Sequence, residues 1–287
     1  MLRRTRVRTG RGAGGIWARG RRAEAIVSGS CRLTWEPERY LTFGEQRTRP
    51  ALDLLARVPW ADAERIADLG CGPGNATALV AQRWPEAAII GVDSSPEMLA
   101  QARASGIRAT WIEADIAGWT PDGPLDLIHS NAALHWLGAH ATLLPRLLSQ
   151  LRAEGVLALQ MPRNHAAPSH ALLRETAEGG AWADRLAGIL GRQPVAAPEW
   201  YHDLLAPHAQ ALDIWETEYL HVLEGDDPVL RWTRSTALRP IAQALDPEQF
   251  AAFEAAYAAR LRAAYPRRAD GRTLFPFRRL FIVAQRP

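Results

Sequence analysis

Apolar residues in this chain come in short runs separated by stretches of helical rhythm, the pattern of strands alternating with helices. The runs Ile66–Leu69, Ala88–Val92, Ala109–Ala114, Leu125–Ser130 and Val156–Met161 predict five strands, several of them apolar enough for a parallel sheet covered on both faces. Helices are predicted over Asn75–Trp84, over Met98–Ala104 behind the start signal Ser95-Pro96-Glu97, and over residues 141–152, stopped near Gly155. Pro145 implies a late start or a kink in the last of these. Ala211–Val222 alternates polar and apolar residues, and Leu274–Ala284 is rich in strand formers. The interval of about 226–272 between them is too long for a hairpin turn. Its contents read as helical, Pro228–Thr236 and then Pro247–Tyr265, with Phe250, Phe253, Ala256, Tyr257 and Leu261 in a stripe that reads as packing.

The chemistry concentrates where the first strand ends. Asp68-Leu69-Gly70-Cys71-Gly72-Pro73-Gly74-Asn75 places an acid ahead of three alternating glycines, which let a backbone turn sharply and approach a ligand. The spacing is G-x-G-x-G, where a dinucleotide fingerprint has G-x-G-x-x-G and a pyrophosphate at the helix start. Asp68 would repel a pyrophosphate but attract an ammonium group. Asp93 closes the second run, placed to accept both hydroxyls of a ribose. Asp115 follows the third, where it can accept from an exocyclic adenine amine.

In this order, D-L-G-C-G-P-G-N, G-V-D-S-S-P-E-M-L and A-D-I resemble the class I S-adenosylmethionine-dependent methyltransferases. The resemblance implies a Rossmann-like α/β fold with a seven-strand sheet, an antiparallel final hairpin, and a helical insertion between the last two strands. It implies S-adenosylmethionine held by Asp68, Gly70, Gly72, Gly74, Asn75, Asp93, Ser94, Met98, Asp115, Ile116 and Asn131. Further segments, Trp35–Leu41, Arg47–Pro50, Ser130–Trp136, Gln160–Pro162 and Gly271–Val283, are similar to the trans-aconitate methyltransferases within that family. One position departs from their pattern: His135 stands where glutamine is expected before Trp136.

Composition then narrows the setting. At 287 residues and 47% hydrophobic the chain can bury a full core. No run of eighteen apolar residues predicts a membrane span. Cys31 and Cys71 give neither a metal spacing nor a disulfide framework, which fits a reducing cytosol and a metal-free site. The net charge of +3 is misleading, because residues 1–32 hold nine of the 34 basic residues and one of the 31 acids, Glu24, leaving 25 against 30. The arginine-rich leader has three readings: a mis-assigned translation start, a disordered nucleic-acid-binding arm, or a targeting peptide. The family-like sequence begins just after it, which favours the first and gives a methyltransferase domain over 33–287. The whole is expected to be a cytoplasmic monomer with no membrane or nucleic-acid partner.

A tricarboxylate acceptor needs cationic partners, for which the arginine fork is suited. Candidates are Arg47 and Arg49, Arg163, Arg231, Arg234, Arg239 and Arg279, with Tyr40 and His135 beside the reacting group. A sulfonium already activates its methyl group, so the mechanism implied is alignment, with no general base and no metal. The reading is methyl ester formation on trans-aconitate or a similar small polycarboxylate. Two alternatives stay open, another small acceptor such as an acyl-chain or quinone precursor, and a non-catalytic S-adenosylmethionine-binding protein.

Overall fold

The computed structural model describes residues 45–59, 62–189, 195–234 and 237–287, with Glu45–Arg47 described by backbone alone. The expectations for residues 1–32, Tyr40 and the Arg47 side chain lie outside the described residues.

In chain order the elements are α1 (Glu45–Leu55), β1 (Arg65–Leu69), α2 (Asn75–Arg83), β2 (Ala88–Asp93), α3 (Pro96–Ala104), β3 (Thr110–Glu113), β4 (Leu125–Asn131), α4 (His140–Ser149), β5 (Leu151–Pro162), α5 (Pro168–Glu178), α6 (Ala183–Leu186), α7 (Pro198–Leu205), β6 (Ala211–Leu223), α8 (Pro228–Arg234), α9 (Arg239–Ala244), α10 (Pro247–Ala264) and β7 (Thr273–Gln285). The strands form one sheet in the order β3-β2-β1-β4-β5-β7-β6. The pairs from β3 through β5 are parallel, and β7 runs antiparallel to both β5 and β6. The chain fills one side of β1 and then crosses to β4 on the other. The crevice outside the carboxyl ends of β1 and β4 is therefore the place where an open α/β sheet receives a ligand.

Alternation of side chains across the strands builds two cores. Ile66, Leu127, Val156, Ala158, Phe281 and Val283 face α1 and α2, whereas Leu69, Ile128, Leu157, Leu159, Leu280 and Ile282 face the side of α4 and α7. Both sets are buried, which is why these strands read as nearly unbroken apolar runs. The expected start of α3 is observed: Pro96 opens the helix and the Met98 N–H donates to Ser95 Oγ at 3.2 Å.

Two expectations are corrected. The helix expected over 141–152 runs from His140 to Ser149 and does not start late, although Pro145 lies inside it. His140 pins the first turn, with Nδ1 2.8 Å from Tyr201 Oη and Nε2 2.9 Å from the Leu134 carbonyl. Nor does Gly155 stop the helix, because Leu151 already pairs with Leu125 in β5. The Glu154 N–H donates to the Arg286 carbonyl and the Arg286 N–H to the Gly155 carbonyl, so this stretch is tied to the end of β7.

The helical insert is present between β6 and β7 as α8, α9 and α10, and it shares a third core with a region the sequence left unread. Leu173 and Ala177 of α5 and Leu186 of α6 pack with Leu230, Ile241, Phe253, Tyr257 and Leu261 of the insert and with Phe275 and Phe277 of β7. Each fully buried large side chain there contributes roughly 1.5–3 kcal/mol. The stripe on α10 is packing, as read, except that Ala256 is exposed and Ala258 is buried instead. The cap therefore has two segments, one before β6 and one after it.

His170 on α5 and His221 on β6 contribute to stability at acid pH. Burial and then neighbouring arginines hold both imidazoles down to about 4. An unfolded chain protonates them near ~6.5, so the unfolded state binds more protons between those values and stability falls as pH drops through that window. Their contribution is intact above pH ~6.5. Urea denaturation at pH 6.5, 5.5 and 4.5 is expected to show this loss, with a smaller slope in His221→Gln, by up to about 1.4 kcal/mol per pH unit. An unchanged slope would return His221 to an ordinary environment.

Candidate functional site

The glycine loop is fixed from below and from the side. Gly70 turns at φ 71°, and a Cβ there would stand 2.1 Å from Ala133 Cβ, so glycine is required by the turn that follows β4. The Gly70 and Cys71 N–H groups both donate to the Val92 carbonyl, at 2.8 and 3.1 Å. Asp93 then braces two elements with one carboxylate, Oδ2 accepting from the Gly72 N–H at 2.8 Å and Oδ1 from the Ser95 N–H at 2.9 Å. Burial, reinforced by the carboxylates of Asp68 and Asp93, pushes the Cys71 thiol far up its titration range, so it stays uncharged.

A cavity of about 370 Å³ opens beside the loop. Gly70, Asp93, Ser94, Asp115 and Ile116 line it, together with Ala133, Trp136, Leu137 and Arg239. Five residues expected at the cofactor are thus brought together by three strand ends, and one acceptor candidate joins them. Asp115 Oδ1 accepts from the Ala117 N–H at 2.9 Å, which leaves Oδ2 for a ligand. Gly72, Gly74, Asn75, Met98 and Asn131 do not line this cavity. Gly74 caps α2 in the left-handed region at φ 91°, Asn75 is exposed, and the Met98 backbone is engaged by Ser95. Asn131 ends β4 with its Oδ1 buried and without a hydrogen-bond partner among the described residues, just before Ala132 at φ 56°.

Asp68 is corrected. Its carboxylate is 1% exposed, with Oδ2 accepting from Thr77 Oγ1 at 2.6 Å and Oδ1 lying 2.8 Å from His129 Nδ1. It does not reach the cavity to receive an ammonium group. It ties β1 to α2 and β4 beneath the loop, and pairing of Asp68 with His129 across the parallel strands accounts for the contact.

A second cavity, of about 210 Å³, adjoins the first and shares Trp136 and Pro240 with it. His135 and Arg163 line it, as does a group the sequence reading missed: His165, His170 and Arg174. The available signal was a His-x4-His-x3-Arg spacing directly after the carboxyl end of β5. The other arginine candidates part ways. Arg163 Nη1 donates to Glu216 at 2.8 Å, Arg234 pairs with Glu254, and Arg231 donates to the Glu224 carbonyl. Arg49 lies 3.8 Å from Asp53 and over the Tyr219 ring. Arg279 is buried on β7, donating to Gln160 Oε1 at 3.3 Å with its guanidinium over Phe277, and it lines none of the cavities described. Arg231, Arg234 and Arg279 are thereby corrected from acceptor ligands to structural groups.

Residues 66–155 match the model of a methyltransferase domain. The chain is 54% identical over 253 residues to the trans-aconitate 2-methyltransferase of Azoarcus sp. (strain BH72), covering 88% of this chain and 99% of that one. It is 50% identical to the enzyme of the same name from Streptomyces coelicolor, covering 88% and 87%. The chain belongs to the trans-aconitate 2-methyltransferase family. At the level of fold, the YcgJ protein of Bacillus subtilis superposes with a TM-score of 0.53 at 18% identity, over 83% of this chain and 98% of that one.

The methyl donor of the trans-aconitate 2-methyltransferase family, S-adenosylmethionine, fits the first cavity. Its volume lies within the ~300–1,000 Å³ of small-molecule sites. Each Asp93 oxygen spends one lone pair on the backbone and keeps another, the arrangement needed to accept a pair of ribose hydroxyls. Among the described residues no cluster of His, Cys, Asp or Glu could hold a metal ion, and no helix is long and apolar enough to cross a membrane.

Asp68→Ala strands the His129 ring and the Thr77 hydroxyl in the interior. The expected cost is about 1–3 kcal/mol for each group left unpaired, read as a lower urea midpoint. A midpoint equal to that of the unaltered protein would refute the brace.

Proposed function

We propose that this chain transfers the methyl group of S-adenosylmethionine to a carboxylate of trans-aconitate, giving a methyl ester and S-adenosylhomocysteine. The observation that carries this reading is the junction of the two cavities, where Trp136 and Pro240 wall both and Arg239 stands on the donor side. S-adenosylmethionine supplies, when bound, a methyl group already activated by its sulfonium. An acceptor carboxylate oxygen would bond to that carbon as the carbon–sulfur bond broke with its pair on sulfur, so no proton would change hands. The residues therefore have three tasks: binding, orientation and exclusion of water.

Asp93 would accept the ribose hydroxyls and Asp115 the adenine amine, with Ser94 and Ile116 completing that wall. Gly70 lets the backbone come close. Arg239 makes no ion pair among the described residues, so its charge is available to an acceptor carboxylate at the junction. Trp136, with 45% of its surface exposed, becomes covered when both cavities fill. The same reading puts the enzyme in a reducing cytoplasm, acting as a monomer on a free metabolite, with no nucleic acid involved.

The test is transfer of labelled methyl to trans-aconitate, with cis-aconitate, citrate and isocitrate alongside. Preference for trans-aconitate is expected; donor binding without transfer to any of them would overturn the acceptor. Asp93→Ala is expected to weaken S-adenosylhomocysteine binding by about 1.5–3 kcal/mol, measured by calorimetry. Arg239→Ala is expected to raise the KM for trans-aconitate by roughly 10-fold while leaving that affinity within about two-fold. Parallel changes in both constants would remove Arg239 from the acceptor.

A further inference from the structure

The second cavity has an unusual charge balance. No aspartate or glutamate is among its described lining residues, whereas His135, Arg163, His165, His170 and Arg174 all line it. Arg163 is neutralised by Glu216 at 2.8 Å. Arg174 is not neutralised. Its Nη1 donates to the His165 carbonyl at 2.9 Å and lies 3.3 Å from His165 Nδ1, and no carboxylate pairs with it among the described residues. A half-buried guanidinium turned upon a histidine in an acid-free cavity is an arrangement that an anion completes.

The fold holds this group rigidly. Tyr257 Oη donates to the Ser169 carbonyl at 2.7 Å and the Ser169 N–H donates to Tyr265 Oη at 3.0 Å, which ties the first turn of α5 to α10 and to the residue that follows it. Leu173, between His170 and Arg174, is buried in the cap core. The aromatic walls Trp232, Phe275 and Phe277 provide the flat apolar side that a planar unsaturated acid requires.

Resting on the function proposed above, we propose that Arg174, His170 and His165 form the subsite that holds the acceptor's non-reacting carboxylates, and that His170 takes up a proton from solvent as the polyanion binds. In the free protein His170 is held down to about 4 by burial and then by Arg174 and His165, so it is neutral near pH 7. The charges acting on it are those two; Arg163 and His135 line the same cavity, and Tyr257 of α10 and Tyr265 just after it hydrogen-bond the backbone of the neighbouring Ser169. Carboxylates entering among them reverse the sign of the local field and favour the imidazolium.

The experiment is calorimetric binding of trans-aconitate to the protein saturated with S-adenosylhomocysteine, at pH 6 in two buffers of different ionisation enthalpy. Binding is read without turnover, so failure of the transfer assay and failure of this subsite are distinguishable. Arg174→Gln is expected to weaken trans-aconitate binding by roughly 10- to 100-fold, with Arg174→Lys recovering part of it and S-adenosylhomocysteine affinity within about two-fold of the unaltered protein. His170→Gln is expected to abolish the difference in observed binding enthalpy between the two buffers, which reports the proton uptake. The affinity for S-adenosylhomocysteine reports folding of each variant, and Arg174→Lys carries the test should Arg174→Gln fail to fold. Unaltered trans-aconitate affinity in the Arg174 variants, or unaltered proton uptake in His170→Gln, would overturn the proposal.

Discussion

The site depends on the way the end of β2 holds the loop that follows β1. One carbonyl, Val92, receives two N–H groups from the loop, and the next residue, Asp93, receives one from the loop and one from the start of α3. Without this brace the glycines that permit close approach would also permit disorder, since glycine loses the most conformational freedom on folding. The carboxylate is thereby oriented before any ligand arrives, and its remaining lone pairs line the cavity. Below it, Asp68 performs the same service in the interior, where an unpaired carboxylate would be costly.

The same constraint explains how far the sequence could be read. Strand runs, the insert and the three acids were legible because each is a local signal: apolar length, a turn residue, an acid at a strand end. Asp93 and Asp115 stand in the cavity as their positions suggested. Asp68 looks the same in sequence and acts differently, because its partner His129 is 61 residues away and becomes a neighbour only when β4 is laid beside β1. No spacing rule contains that information. The unread helices between β5 and β6 were missed for a related reason: α5 buries its apolar side against the insert, so neither segment explains its own pattern alone.

Arginine gave the weakest signal. Arg231 and Arg234 share the short helix α8, whose Val229, Leu230 and Thr233 turn inward and leave both guanidinium groups on the surface. Arg279, flanked by apolar residues, is buried, but burial on β7 puts it beside Gln160 and Phe277 and away from the cavity. Arg239 does line the donor cavity, although it is exposed. What separates them is the junction of α9 with the turn after β4, which only the tertiary structure supplies.

Charge neutralisation is the better guide. A chain without lysine must meet every need for positive charge with arginine, histidine or its amino terminus, and among the described residues most ion-paired arginines are spent on surface pairs worth little to stability. An arginine that lines a cavity and pairs with no carboxylate among the described residues is a different matter, because its charge is open to an anion that enters. Arg174 stands in that position, beside a histidine kept neutral by the same surroundings. The wall therefore carries positive charge that an anion would balance, the condition under which binding energy goes into fixing the acceptor against the methyl donor, at the junction walled by Trp136 and Pro240.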